Sequence, residues 1–226
     1  MCGRFTLKAG KKVKLKGFSL ADFENLIPRY NIAPSQDILT VVQRDSSRET
    51  MLMQWGLIPF WSKEPTGIIN ARVETIDEKA SFAESFQRRR CLILADGFYE
   101  WERHGKIAQP YYFQMANEEP FTFAGVWDQW RSGEHLITTC AIITTTANKL
   151  LAKIHTRMPV ILGSELHDLW LDETARTPDL KELLVPFDAN EMKSHAVGYD
   201  VNDVKVDHAG VLRPVTPNIG VNMSLF

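Results

Sequence analysis

Between Cys91 and Thr145 the chain carries four apolar runs: CLILADGFYEW (91–101), PYYFQMA (110–116), FTFAGVWD (121–128) and LITTCAIITT (136–145). Each ends in a polar stretch containing Gly, Asn or Glu. Runs this short, rich in aromatic and β-branched residues, read as strands. Four in succession without a helical pattern between them argue against an alternating βαβ chain, whose parallel strands need a helix-length crossover. DILTVVQ (37–43) and ETMLMQW (49–55), around the polar RDSSR, add a strand pair. Helical spacing appears on both sides. SLADFENLI (19–27) begins with Ser19 as its cap, and TIDEKASFAESFQ (75–87) begins with a Thr75–Glu78 capping box. ANKLLAKI (147–154), SELHDLWL (164–171) and PDLKELL (178–184) follow, and the tail from His195 reads as extended. The expected class is α+β, with a β-rich middle and scattered helices.

Hydrophobic residues make up 44% of the 226 and are spread evenly, so the whole of 1–226 is expected to form one domain. The formal net charge of −2 excludes a globally basic molecule; nucleic acid would have to meet a local patch. The start is polar and lysine-rich, and no apolar run is long enough to span a bilayer, which points to the cytoplasm and away from membranes. Three widely spaced cysteines, Cys2, Cys91 and Cys140, form neither a disulfide framework nor a zinc pattern; the latter two read as buried strand residues. G-x-S-x-G, P-loop, H-E-x-x-H and C-x-x-C motifs are absent, and the six histidines lack ligand spacing. No metal and no cofactor are expected.

The chemistry must then come from short polar clusters. Cys2 lies ahead of any long element, in MCGRF, and is either an incidental thiol or the reactive group. A small second residue favours removal of Met1, which would leave an α-amine beside a thiol. Such an amine, with a typical pKa of roughly 7.7–8.0, is partly free near neutral pH. It condenses with an aldehyde, and the sulfur then closes a five-membered thiazolidine. Gly3 removes bulk beside it, and Arg4 could hold an anion. In INARVET (69–75), Asn70 and Arg72 share one side of a strand, as a surface face or as a binding pair. Glu100, between Tyr99 and Trp101, is either an ordinary exposed Glu or a buried proton carrier with a raised pKa. His155 in IHTRMP is a helix cap or a catalyst. Phe60 and Trp61 in WGLIPFW fill the core or stack on nucleobases. KAGKKVKLK (8–16) is a solvated loop or a phosphate-attracting rim.

Taken in order, MCGRF, RYNIAP (29–34), WGLIPFW (55–61), INARVET, RCLILADGFYEW (90–101), FAGVWD (123–128), IITTTAN (142–148) and IHTRMPVIL (154–162) resemble the SRAP family, the SOS-response-associated peptidase-like proteins that shield abasic sites in single-stranded DNA. A weaker echo runs through VNDVKVDHAGVLRP (201–214). Leu94 stands where the family pattern leads one to expect Pro, in a strand interior that bears on no functional residue. The resemblance implies a compact, barrel-like, largely antiparallel core with flanking helices and a positively charged groove. It implies that Cys2 forms a thiazolidine with the ring-opened abasic sugar, that Asn70 orients the lesion, and that Glu100 and His155 move protons. Arg4, Arg72, Thr144 and Arg157 would hold phosphates; Phe60 and Trp61 would stack or wedge. The implied partner is single-stranded DNA bearing abasic sites, or a single/double-strand junction, bound by a monomer in the cytoplasm or at the nucleoid. Two other classes remain: a thiol peptidase, including self-removal of Met1, and a noncovalent single-strand-binding module.

Overall fold

A computed structural model describes residues 2–8, 26–45 and 47–217. The alternating run at 37–44 forms β3 (Asp37–Arg44), which returns antiparallel as β4 (Ser47–Trp55), with Arg44 opposite Ser47. Asp45 takes a left-handed φ of 49° at the turn, a conformation Asp tolerates better than most residues. The expected strand 91–101 is in fact two, β6 (Arg90–Ala95) and β7 (Gly97–His104). β8 (Ile107–Met115), β9 (Phe121–Ser132) and β10 (His135–Thr146) follow. Gly105 and Gly133, both at φ 60°, sit in the tight turns joining β7 to β8 and β9 to β10.

β10, β4, β3, β6 and β9 pair in that order, and β9 pairs back with β10, closing a five-stranded barrel. Closure leaves no free edge among these strands. Short strands extend the same sheet: β5 (Asn70–Arg72) and β11 (Arg157–Pro159) on β10, and β12 (Ile161–Leu162) on β9. The β10 contacts with β4 and β5 are parallel; the other pairings in the molecule are antiparallel.

A second antiparallel sheet runs β13 (Met192–Ala196), β8, β7, β1 (Phe5–Leu7) and β2 (Arg29–Ile32). It packs against the barrel through aromatic rings. Phe5 lies 5.2 Å from Trp55 and 5.8 Å from Phe123, and Phe98 lies 6.0 Å from Phe123. All four are fully buried. Edge-to-face pairs of this kind add about 0.5–1.5 kcal/mol each beyond their burial. Cys91 and Cys140 are buried in β6 and β10 as expected, and Leu94 lies inside β6 opposite Thr122.

The helices are shorter than their spacing suggests. In place of a helix over 75–87 there is a 3-10 turn at Val73–Thr75, a series of turns, and α1 (Ala83–Arg88). The capping box does not form; Glu78 N–H donates to the Thr75 carbonyl at 3.2 Å. Ile76 and Phe82 are both buried, yet six residues apart they would point about 120° away from one another on a continuous helix. Burying both requires breaking it.

Over 147–154 only Leu151–Lys153 is helical, as a 3-10 turn. The Asn148 side chain accepts from the N–H groups of Leu150 and Leu151 (3.1 and 3.0 Å) and sets its start. The segment 164–171 divides into a 3-10 turn at Ser164–Leu166 and α2 (His167–Leu171); α3 spans Thr177–Glu182. Beyond β13 the tail is not extended but curls into 3-10 turns at Tyr199–Asn202 and Ala209–Leu212. Most of the expected helix 19–27, with its Ser19 cap, lies outside the described residues, and Leu26 and Ile27 are in no helix. All but Lys8 of the lysine cluster 8–16 also lies outside them. No described helix is long and apolar enough to cross a membrane.

Candidate functional site around Cys2

β1 is only three residues long, yet its register fixes what lies beside Cys2. Phe5 pairs with Phe98, Thr6 with Gly97, and Tyr99 N–H donates to the Arg4 carbonyl at 3.0 Å. Continued toward the chain start, the same antiparallel register brings Cys2 alongside the Glu100–Trp101 pair of β7. From the other side β5 delivers Asn70, whose Nδ2 donates to the Cys2 carbonyl at 3.0 Å. β5 is held by Trp55, which donates its Nε1 proton to the Ile69 carbonyl (2.9 Å), and by parallel pairing of Asn70 with Ile142. Strand register and one side-chain hydrogen bond thus join three residues distant in sequence.

The cluster is dry. Cys2 is fully buried, Glu100 is 2% exposed and Asn70 9%. Burial pushes the Cys2 thiol well above the ordinary thiol range, and the neighbouring Glu100 carboxylate pushes it further. The thiol is therefore protonated at neutral pH. Burial likewise raises the Glu100 pKa. The exposed-Glu alternative is thereby excluded. Asn70 Oδ1 is buried with no hydrogen-bond partner among the described residues.

His155 follows the 3-10 turn at 151–153. Its Nδ1 accepts from Arg157 N–H at 3.0 Å and lies 3.2 Å from the Arg157 carbonyl, which orients the ring. Arg72 and Arg157 flank the end of β10 on opposite sides: Thr144 pairs with Arg72 across β5, and Thr146 with Arg157 across β11. Arg157 Nη2 donates to the Thr144 carbonyl (2.6 Å) and approaches its hydroxyl (3.3 Å). Thr144 itself is fully buried, and its hydroxyl donates to the Ala71 carbonyl at 3.2 Å. Arg4 turns away from β10, its Nη1 donating to Asn31 Oδ1 (2.9 Å) and to the Val201 carbonyl (2.8 Å).

Phe60 and Trp61 are each 54% exposed, which excludes core filling. They ride on the loop between β4 and β5, tied to β9 by Phe60 N–H on Asp128 (3.0 Å) and Trp130 Nε1 on the Ser62 carbonyl (2.8 Å). Asp128 pairs with Thr139, three residues before Ile142, so this anchor lies roughly 10 Å along β10 from Asn70.

Three further groups escaped the sequence reading. Asn31, inside RYNIAP, donates Nδ2 to the carbonyls of Val201, Asp203 and Val206. Asp96 accepts from the Thr6 hydroxyl (2.5 Å) and from Lys8 N–H (2.5 Å), anchoring β1. Glu74, inside INARVET, pairs with Arg157. Their motifs contained the signal, but their partners are 27 or more residues away. A separate cleft of 1410 Å³, lined by Arg44, Arg48, Arg89, Trp127 and Asp168 among others, shares no residue with the Cys2 cluster. Three of its arginines are paired with acids, Arg48 to Asp168, Arg44 to Glu49 and Arg89 to Glu84.

The family model described as "SOS response associated peptidase (SRAP)" matches residues 1–204. The chain is 42% identical to the abasic site processing protein YoqW of Bacillus subtilis, over 91% of this chain and 96% of that one. Identity is 30% to YedK of Escherichia coli (95% of this chain, all of the relative) and 33% to HMCES of Xenopus tropicalis (80% and 64%); both carry the name abasic site processing protein. A crystal structure of a Bacteroides thetaiotaomicron protein superposes with a TM-score of 0.81 at 27% identity, over 95% of this chain and all of that one. The family model's match over residues 1–204, with 42% identity to YoqW over 91% of the chain, shows that the chain belongs to the SRAP family.

Proposed function

We propose that this protein processes abasic sites in single-stranded DNA and captures them covalently through Cys2. The observation that carries this reading is the contact of Cys2 with Asn70 and its charge interaction with a buried Glu100, all within one water-poor cluster. Removal of Met1 by hydrolysis first frees the Cys2 α-amine. The amine adds to the aldehyde carbon of the ring-opened sugar, and water leaves to give an imine. The Cys2 S–H then adds across C=N: a C–S bond forms, the thiol proton departs through Glu100, and nitrogen ends protonated. The net change is the loss of one water.

A carboxyl with a raised pKa can donate to the departing hydroxyl and then accept from sulfur. His155 would assist opening of the sugar, and the unpartnered Asn70 Oδ1 would accept from the freed amine or from a sugar hydroxyl. Arg72 and Arg157, the latter steadied by Thr144, would meet phosphates, with Arg4 adding charge beside Cys2. Phe60 and Trp61 would stack on bases or wedge at a junction. The protonated state of Cys2 favours this order, amine first, over a thiolate-first peptidase.

Intact-mass spectrometry after incubation with an abasic oligonucleotide tests the reading. The expected product is the chain without Met1, plus DNA, minus one water. Cys2→Ala should give no adduct while retaining salt-sensitive binding. A durable adduct formed by Cys2→Ser, or by a chain with a blocked N-terminus, would refute the ring.

A further inference from the structure

Besides Asn70 and Arg72, INARVET carries an acid, Glu74, with a partner the motif does not reveal. Glu74 sits in the 3-10 turn directly after β5, two residues beyond Arg72. Both of its carboxylate oxygens engage Arg157: Oε1 with Nη1, and Oε2 with Nη2 at 3.0 Å. This is the planar two-point geometry in which guanidinium also binds phosphate. Arg157's remaining Nη2 contact goes to Thr144, and its Nε is buried without a hydrogen-bond partner. The hydrogen bond from Arg157, with the positive charges of Arg157 and Arg72, holds the Glu74 carboxyl below the usual carboxylate range. Glu74 is therefore ionised at neutral pH, and its side chain is 48% exposed at the mouth where the two arginines flank β10.

We propose that Glu74 is a specificity-determining residue that occupies Arg157 in the free protein as a stand-in for phosphate, so that a DNA strand must displace it. This rests on the reading above that Arg157 meets the DNA backbone. The competition taxes binding to every strand alike. Undamaged DNA has only noncovalent contacts, to phosphates and bases, to hold it, whereas an abasic strand also gains a covalent bond at Cys2. Weakening the common term therefore frees the protein from undamaged DNA without loosening the captured lesion.

The test is fluorescence anisotropy with a labelled undamaged single-stranded oligonucleotide across a salt series. Glu74→Gln should bind about threefold or more tighter at low salt, since an ion pair that opens to solvent through a half-exposed Glu74 is a modest competitor. The magnitude of its slope of log K against log salt should increase by at most about 0.7, because the variant leaves no displaced carboxylate to draw in a cation as the strand binds. The gain should vanish in Glu74→Gln/Arg157→Gln. Asp77→Asn, which removes the same charge from an acid paired with Lys181, should gain less than Glu74→Gln.

Binding that is unchanged or weaker in Glu74→Gln, or a gain matched by Asp77→Asn, would overturn the proposal. So would a gain that survives the loss of Arg157. Arg157→Gln alone separates the two levels. If it does not weaken binding, the phosphate contact itself is wrong; if it does while Glu74→Gln fails to tighten, only the role of Glu74 falls.

Discussion

Glu100 is a carboxyl whose buried surroundings disfavour its charged form. Its raised pKa means that the folded protein holds a proton the unfolded chain has already released. The stability this brings is complete below the ordinary carboxylate pKa and is lost as pH rises through the higher folded value. Glu100→Gln removes that loss, so its melting temperature should exceed the wild type's at neutral pH and converge with it in acid. Calorimetry across pH reads this directly. The same variant should form the DNA adduct about a hundredfold or more slowly, the usual contribution of a positioned proton carrier. Higher stability with lower activity would mark Glu100 as a buried group kept for its chemistry; a uniform loss of both would mark it as structural.

Among the elements, β1 works hardest for its length. Three residues cannot hold a chain start by hydrogen bonds alone. Phe5 fills the space between Trp55 and Phe123, and Thr6 joins a buried network with Asp96 and Tyr112, whose hydroxyl lies 2.9 Å from the Thr6 hydroxyl. Gly97, opposite Thr6, leaves room for that hydroxyl: a Cβ there would come within 2.0 Å of it. Gly97→Ala must push Tyr112 or β7 aside, and overpacking of this kind costs about 1–3 kcal/mol. Chemical denaturation should show that loss. The adduct rate should fall further than binding to undamaged DNA, because β1 carries Cys2 whereas the arginines sit on β5 and β11. Equal losses in both would show that the network serves stability only.

For the whole molecule, the barrel and the exposed loop that carries Phe60 and Trp61 are separable. Trp55, Leu57 and Ile58 enter the core, while Phe60 and Trp61 stand outside it. Phe60→Ala/Trp61→Ala should leave the melting temperature nearly unchanged and weaken single-strand binding by about 1–3 kcal/mol for each base it no longer stacks. The salt slope should stay constant, since no charge is removed. A steep drop in melting temperature would instead put these rings among the core aromatics.

Strand content, the polar clusters and the terminal cysteine were legible in the residues, because alternation, apolar runs and motif order are local properties. The four runs after Cys91 did become strands, and Asn70, Glu100 and Cys2 do meet. Helix length was not legible: 75–87 has helical periodicity, yet the core claims Ile76 and Phe82 from incompatible faces. Nor was the break at Asp96, where one apolar run leaves the barrel for the second sheet because the side chain is taken by Thr6 and Lys8. The chain alone determined which chemical groups were available and roughly which segments would extend. Closing β10 onto β4, sealing Cys2 from water and setting Glu74 against Arg157 were decided by the tertiary structure. Each depends on partners dozens of residues apart, whose desolvation and charge exist only once the barrel has formed.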